Sequence, residues 1–176
     1  MCSSDLMILW LNLVTDGGPA LALTMDPPEM DVMKRSPRNP NEGVLYGRFA
    51  SIIATFIAQF ALTGGLFYWQ YYILGESLEK ARTMAFMRAT LQELLVVWNC
   101  RSEKHNAFKV GFLSNKFLLV SVIVSGLLTV LLPYFGLFGM VPMDDPLEWG
   151  LVIVASLTGL LILPEIFYGR KIWRWI

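Results

Sequence analysis

The sequence predicts an all-α membrane protein, a bundle of five transmembrane helices of which one is broken at an ion site. Three observations lead there. The 176 residues are 55% hydrophobic with a mean hydropathy of +0.53, in the range of polytopic membrane proteins. Five stretches approach the ~20 apolar residues that a membrane helix needs. The first of them, Met7 to Leu23, holds Asn12, Thr15 and Asp16 and meets Gly17-Gly18-Pro19 immediately afterwards.

The spans are expected at 7–23, 49–73, 81–98, 117–134 and 147–168. The second ends in the aromatic cluster Phe67-Tyr-Trp-Gln-Tyr-Tyr72, as a helix reaching the headgroup region does. The third is less apolar and carries Glu93. The fourth is a plain Leu/Val run closed by Pro133. The fifth is framed by Trp149 on one side and by Trp173 and Trp175 on the other. Residues 1–6 read as foreign to the remainder of the chain, and the native protein is expected to begin upstream of residue 7.

Loop charges set the orientation. The segment from Thr24 to Arg48 carries Lys34, Arg35, Arg38 and Arg48, and the segment from Cys100 to Lys116 carries Arg101, Lys104, Lys109 and Lys116. The tail carries Arg170, Lys171 and Arg174, whereas the connection from Phe135 to Pro146 holds only the acids Asp144 and Asp145. The positive-inside rule places the first two segments and the tail in the cytosol. Lys80, Arg82 and Arg88 weaken the rule on the outer side. The formal net charge is zero, so no basic excess points to nucleic acid. One His and two Cys form no metal-ligand spacing or disulfide framework.

The chemistry concentrates in the first span. A carboxylate at bilayer depth is costly and marks a functional site by default. Gly is conformationally permissive and Pro removes a donor, so Gly17 to Pro19 is expected to unwind the helix and free backbone carbonyls. Interrupted membrane helices line ion and substrate sites. Oxygen-only side chains beside such carbonyls suit a hard cation. Asn12 and Asp16 are four residues apart and share a helix face, with Thr15 near it. Asp16 is expected to face the bundle interior. Glu93 stands on a mostly apolar face, which must pack against the first helix to keep the carboxylate out of lipid.

Asn12-Leu-Val-Thr-Asp-Gly-Gly-Pro-Ala-Leu-Ala-Leu23, followed by Asp26-Pro-Pro-Glu-Met-Asp-Val-Met-Lys-Arg-Ser-Pro-Arg38, resembles the sixth transmembrane helix and following cytosolic loop of P-type cation-transporting ATPases. Calcium pumps of sarcoplasmic-reticulum type and their prokaryotic relatives are the nearest in pattern. Ser77-Leu-Glu-Lys-Ala-Arg-Thr-Met-Ala-Phe86 and Asn99-Cys-Arg-Ser-Glu103 resemble the stretches around the eighth helix of prokaryotic members. The resemblance spans Met7 to Ile176 and implies helices six to ten of a ten-helix membrane domain.

It implies roles residue by residue. Asn12, Thr15 and Asp16 match the family's cation ligands, the Asp serving two adjacent calcium sites. Glu93 stands six residues before Asn99, as the eighth-helix Glu of two-calcium pumps does. Glu29 and Asp31 match acidic positions of the loop that couples the site to the phosphorylation domain, but a third acidic position is Lys34 here. Calcium is the implied transported ion. ATP and magnesium enter only through domains not found in this sequence, which contains no Asp-Lys-Thr-Gly-Thr phosphorylation motif. The implied partners are the lipid bilayer and the amino-terminal half of the same pump, with its phosphorylation, nucleotide and actuator domains and helices one to five. The implied location is a prokaryotic plasma membrane. A sodium, proton or manganese pump shares much of this pattern. A stand-alone channel or accessory protein is the non-enzymatic alternative, and the acidic Pro-rich loop argues against it.

Overall fold

The computed structural model describes residues 3–28, 33, 49–102, 105 and 107–161. Among these residues the secondary structure is entirely helical. The first helix is continuous and has three parts: α1 (Ser3–Trp10), a π-helical stretch (Leu11–Asp16) and α2 (Gly17–Leu23). Then come α3 (Phe49–Tyr68), which runs into a π turn at Trp69–Ile73, α4 (Leu78–Asn99), the short α5 (Ala107–Val110) and α6 (Lys116–Leu131). Two 3₁₀ turns, Pro133–Phe135 and Leu137–Gly139, lead to α7 (Pro146–Ser156) and α8 (Thr158–Leu161).

Among the described residues three helices are long and apolar enough to cross a membrane: Asp5–Leu23, Phe49–Ile73 and Lys116–Phe135. They correspond to the first, second and fourth expected spans. The fifth is described as far as Leu161, as a shorter apolar helix from Pro146. The third, α4, is long but carries too many polar groups to qualify.

Packing explains the polarity of α4. It is the central helix and lies against α3, α6, α7, α8 and the π stretch of the first helix. Ala81, Met84, Met87, Arg88, Thr90, Gln92 and Leu94 are all buried in it. A helix enclosed by other helices can carry polar groups that find partners in protein instead of lipid. Arg88, wholly buried in mid-helix, is therefore no loop charge. Its guanidinium donates to Gln59 Oε1 and Thr63 Oγ1, both at 2.7 Å, and to the Gln59 carbonyl at 2.9 Å. The outer helix α3, by contrast, buries no side chain and exposes Ile52, Phe56, Ile57 and Phe60.

Local chemistry sets the helix starts. Ser77 caps α4 by accepting the Lys80 amide, and Asn115 caps α6 by accepting the Leu118 amide. Asp145 caps α7 through the Leu147 amide, with Pro146 at the first helical position, where its missing N–H costs nothing. Two apolar clusters close the ends of the bundle. Met84, Met87, Leu132, Met140, Met143 and Val152 fill one, while Ala22, Trp98, Ala107 and Leu118 fill the other.

Each end also has a polar fastening. At the first, buried Glu148 receives Lys80 Nζ at 2.7 Å and Gln70 Nε2 at 3.0 Å. The hydrogen bond to Glu148 raises the Lys80 pKa above its ordinary 10.5. At the other, Arg101 grips the Asp26 carboxylate through Nε and Nη2, the shortest contact being 2.7 Å. This ties the segment after the first helix to the α4–α6 connection, two segments that the charge pattern assigns to one side of the membrane.

Candidate cation site

The site is built on the π stretch. Asp16 (φ −91°, ψ −43°) and Gly17 (φ −61°, ψ −48°) both keep helical backbone. The expected unwinding at Gly17 to Pro19 does not occur. The irregularity is a widened turn placed just ahead of the glycines. The physical reason is the position of Pro19. It falls in the first turn of α2, where a missing N–H is tolerated and the fixed φ suits a helix. The mismatch is absorbed one turn earlier, where π turns commonly interrupt α-helices at functional sites.

A partner helix supports that turn. Ser125 of α6 donates its hydroxyl to the Val14 carbonyl at 2.7 Å. Trp10 Nε1 donates to Thr129 Oγ1 at 3.1 Å. Gly18 approaches α6 so closely that a Cβ there would lie 2.7 Å from Ser121 Oγ. Ser121, Ser125 and Thr129 recur every fourth residue and form a row of hydroxyls on one face of α6. They meet Gly18, Val14 and Trp10 in antiparallel order.

The predicted residues divide between two environments. Thr15 is 2% exposed, and its hydroxyl has no hydrogen-bond partner among the described residues. Asn12 and Asp16 are exposed, so the expectation that Asp16 faces the interior of this bundle is not met. The π stretch packs its Thr15 side against its neighbours and leaves the Asn12–Asp16 side uncovered. Asn12 donates Nδ2 to the Ile8 carbonyl at 3.0 Å, which leaves its side-chain oxygen available. Glu93 is half-buried, with Oε2 enclosed and without a hydrogen-bond partner among the described residues. It stands on the helix that packs against the π stretch, close enough to Asp16 for the two carboxyl groups to interact electrostatically. The expected packing of α4 on the first helix is thus present.

Thr15 Oγ1 and Glu93 Oε2 are the notable groups here. A buried acceptor without a donor costs free energy unless something else supplies the interaction. A cation does so for a carboxylate and a hydroxyl oxygen together. No cluster of three or more His, Cys, Asp or Glu exists among the described residues. Glu29 and Asp31 lie outside the described residues.

The hydroxyl row on α6 and the Arg88 hub were not anticipated from the sequence. The four-residue spacing of Ser121, Ser125 and Thr129 was the available signal.

Set beside known proteins, residues 4–167 match the family "Cation transporting ATPase, C-terminus", and the chain belongs to that family. It is 37% identical over 179 residues to the calcium-transporting ATPase of Bacillus subtilis (strain 168), covering 94% of this chain and 19% of that protein. It is 31% identical over 183 residues to calcium-transporting ATPase 1 of Bacillus cereus, covering 93% of this chain and 20% of that protein. It is 31% identical over 123 residues to the mouse calcium-transporting ATPase type 2C member 2, covering 68% and 13%. The chain thus spans about a fifth of the length of these bacterial relatives.

Proposed function

We propose that this chain is the carboxy-terminal ion-binding membrane part of a calcium-transporting P-type pump, with Asn12, Thr15, Asp16 and Glu93 as its contribution to the cation site. The observation that carries the reading is the packing of α4, which bears Glu93, on the π stretch that bears Asp16, with Thr15 Oγ1 and Glu93 Oε2 both enclosed and without a hydrogen-bond partner among the described residues. The names of the relatives support calcium as the cargo. Calcium takes six to eight oxygens, more than these four side chains provide. The exposed Asn12–Asp16 face is where helices from the rest of a longer pump complete the shell. By itself the chain is expected to bind calcium only weakly.

The division of labour follows from position. Asp16 lies at the end of the widened turn and can serve two adjacent ions, whereas Glu93 reaches only the nearer one. Five spans, with the amino terminus outside, place Asp26 and the following Glu29 and Asp31 in the cytosol. There the acidic loop meets the phosphorylation domain, and ATP and magnesium act through that domain. Phosphorylation then favours a state in which the oxygens separate, and the ion leaves outward. The bacterial relatives support a prokaryotic plasma membrane as the setting.

Equilibrium calcium binding to the complete pump in native membranes tests this reading. Asp16→Asn is expected to abolish binding, and Glu93→Gln to remove or weaken one of two sites while keeping an oxygen ligand. Unchanged stoichiometry and affinity in both variants would reject the site.

A further inference from the structure

The π stretch and the hydroxyl row on α6 bear on one another. A π turn carries one residue more than an α turn and is stable only where its surroundings compensate the altered hydrogen-bond ladder. Pro19 offers no N–H to the carbonyls of the preceding turn, so this part of the first helix is one backbone donor short. Ser125, 5% exposed, supplies a donor from outside the helix at 2.7 Å. Its neighbours hold the register on either side. The Gly18 backbone is pressed against Ser121, and Thr129 accepts from Trp10 while donating to the Ser125 carbonyl at 2.8 Å.

From this geometry we infer that Ser125 is a positioning residue for the cation site, fixing the register of the widened turn through the Val14 carbonyl. The inference rests on the proposed cation site. Ser125 touches no ion. Val14 immediately precedes Thr15 and Asp16 and lies two residues after Asn12, so the register of the Val14 peptide sets the directions of all three side chains. Without the hydroxyl, the turn loses its external donor and is free to adopt α register. That change alters how far Asn12 and Asp16 are turned from one another about the helix axis, so the spacing of their oxygens changes even though both stay on one face. Misplaced ligands weaken ion binding, because calcium's shell is flexible in angle but still needs its oxygens within about 2.3–2.6 Å, and an oxygen moved outside that range no longer contributes.

The test uses the complete pump in membrane vesicles, with calcium-dependent ATP hydrolysis measured across calcium concentrations. Ser125→Ala is expected to raise the half-saturating calcium concentration about three- to tenfold, the worth of one hydrogen bond, with the rate at saturating calcium retained. Ser125→Thr, which keeps the hydroxyl, is expected to restore the half-saturation point. A merely structural role lowers the saturating rate or the amount of folded pump and leaves half-saturation in place. That result, or failure of Ser125→Thr to rescue, overturns the inference. Asp16→Asn in the same assay separates the two readings. Loss of calcium dependence in Asp16→Asn with no shift in Ser125→Ala rejects the positioning role alone, and no effect in either variant rejects the site itself. If Ser125→Ala does not assemble, an isotope-edited carbonyl at Val14 in the chain reports the bond directly by infrared spectroscopy. Its band should move to higher frequency in Ser125→Cys, whose thiol is a weak donor, and an unmoved band overturns the inference.

Discussion

Arg101→Met is expected to loosen the end of the bundle where the first helix meets the α4–α6 connection. The Arg101 side chain is fully buried and that of Asp26 is 16% exposed, so their 2.7 Å contact is an enclosed ion pair and not a surface bridge. Arg101 also donates to the Gly111 carbonyl and to Ser114 Oγ, each at 2.7 Å, and its guanidinium carbon lies 5.9 Å from the Trp98 ring centre. Removing it leaves Asp26 with Asn115 Nδ2, at 3.0 Å, as its remaining described donor. Breaking one side of a buried pair costs about 3–5 kcal/mol, against about 0–1 kcal/mol for an exposed one. The expected loss therefore corresponds to roughly two to three and a half powers of ten in the closed-to-open equilibrium, at about 1.4 kcal/mol for each. Cys100 is exposed and adjoins Arg101 in sequence, but Trp98 and Asn99 beside it are buried. Denaturant titration of the chain in micelles gives the global stability, and protease cleavage between residues 100 and 115 reports local opening. The double variant Arg101→Met, Asp26→Leu should recover most of the loss, because it leaves no orphaned charge. A loss below about 1 kcal/mol in Arg101→Met would show that the pair behaves as a solvated one and that the fastening is incidental.

Thr15→Val should stabilise the isolated chain or leave it unchanged, because it removes a buried hydroxyl without a partner among the described residues. The same variant should weaken calcium binding by the complete pump; destabilisation of the chain would mean that the hydroxyl is satisfied. The Lys80–Glu148 contact carries a defined pH dependence. Because the folded-state pKa of Lys80 is raised, its contribution is complete below about 10.5 and disappears as pH rises through the higher folded value. Unfolding midpoints of wild type and Lys80→Met should therefore draw together as pH rises above about 10.5, and curves that stay parallel over that range would refute the assignment.

The first, second and fourth spans were legible because apolar length alone identifies a helix that faces lipid. The family was legible from the residues between Asn12 and Arg38, and its match extends over residues 4–167. What stayed hidden shares one cause, since side-chain partners on other helices leave no mark on local hydropathy. Arg88 reads in the sequence as a charge that spoils the topology rule. In the fold it is a hub whose acceptors include Gln59 and Thr63 on α3. The serines of α6 vanish in a run of Leu and Val because their importance lies in what they face. The helix irregularity lies away from its expected position for a similar reason. Gly17 and Pro19 signal a break by intrinsic preference, but the first turn of a helix tolerates both, and the adjoining turn had an external donor to lean on.

This arrangement changes which residues ought to matter for the ion. If the site helix had unwound at its glycines, its shape would be a property of Gly17 to Pro19, and neighbouring helices would only enclose it. A π turn held by Ser125 makes the geometry of Asn12, Thr15 and Asp16 depend jointly on two helices that are more than a hundred residues apart in sequence. Glu93 adds a third, since α4 packs against the same turn. A small movement of α4 or α6 relative to the first helix therefore alters the relative positions of Asn12, Thr15, Asp16 and Glu93, the proposed ligands, without breaking any covalent or helical continuity. Such coupling suits a site that must hold and release an ion repeatedly, because a packed and hydrogen-bonded contact switches between discrete arrangements instead of yielding gradually. On this reasoning substitutions along the α6 hydroxyl row should shift ion affinity more than substitutions of equal size on its exposed residues, such as Val120, Val124 and Leu127.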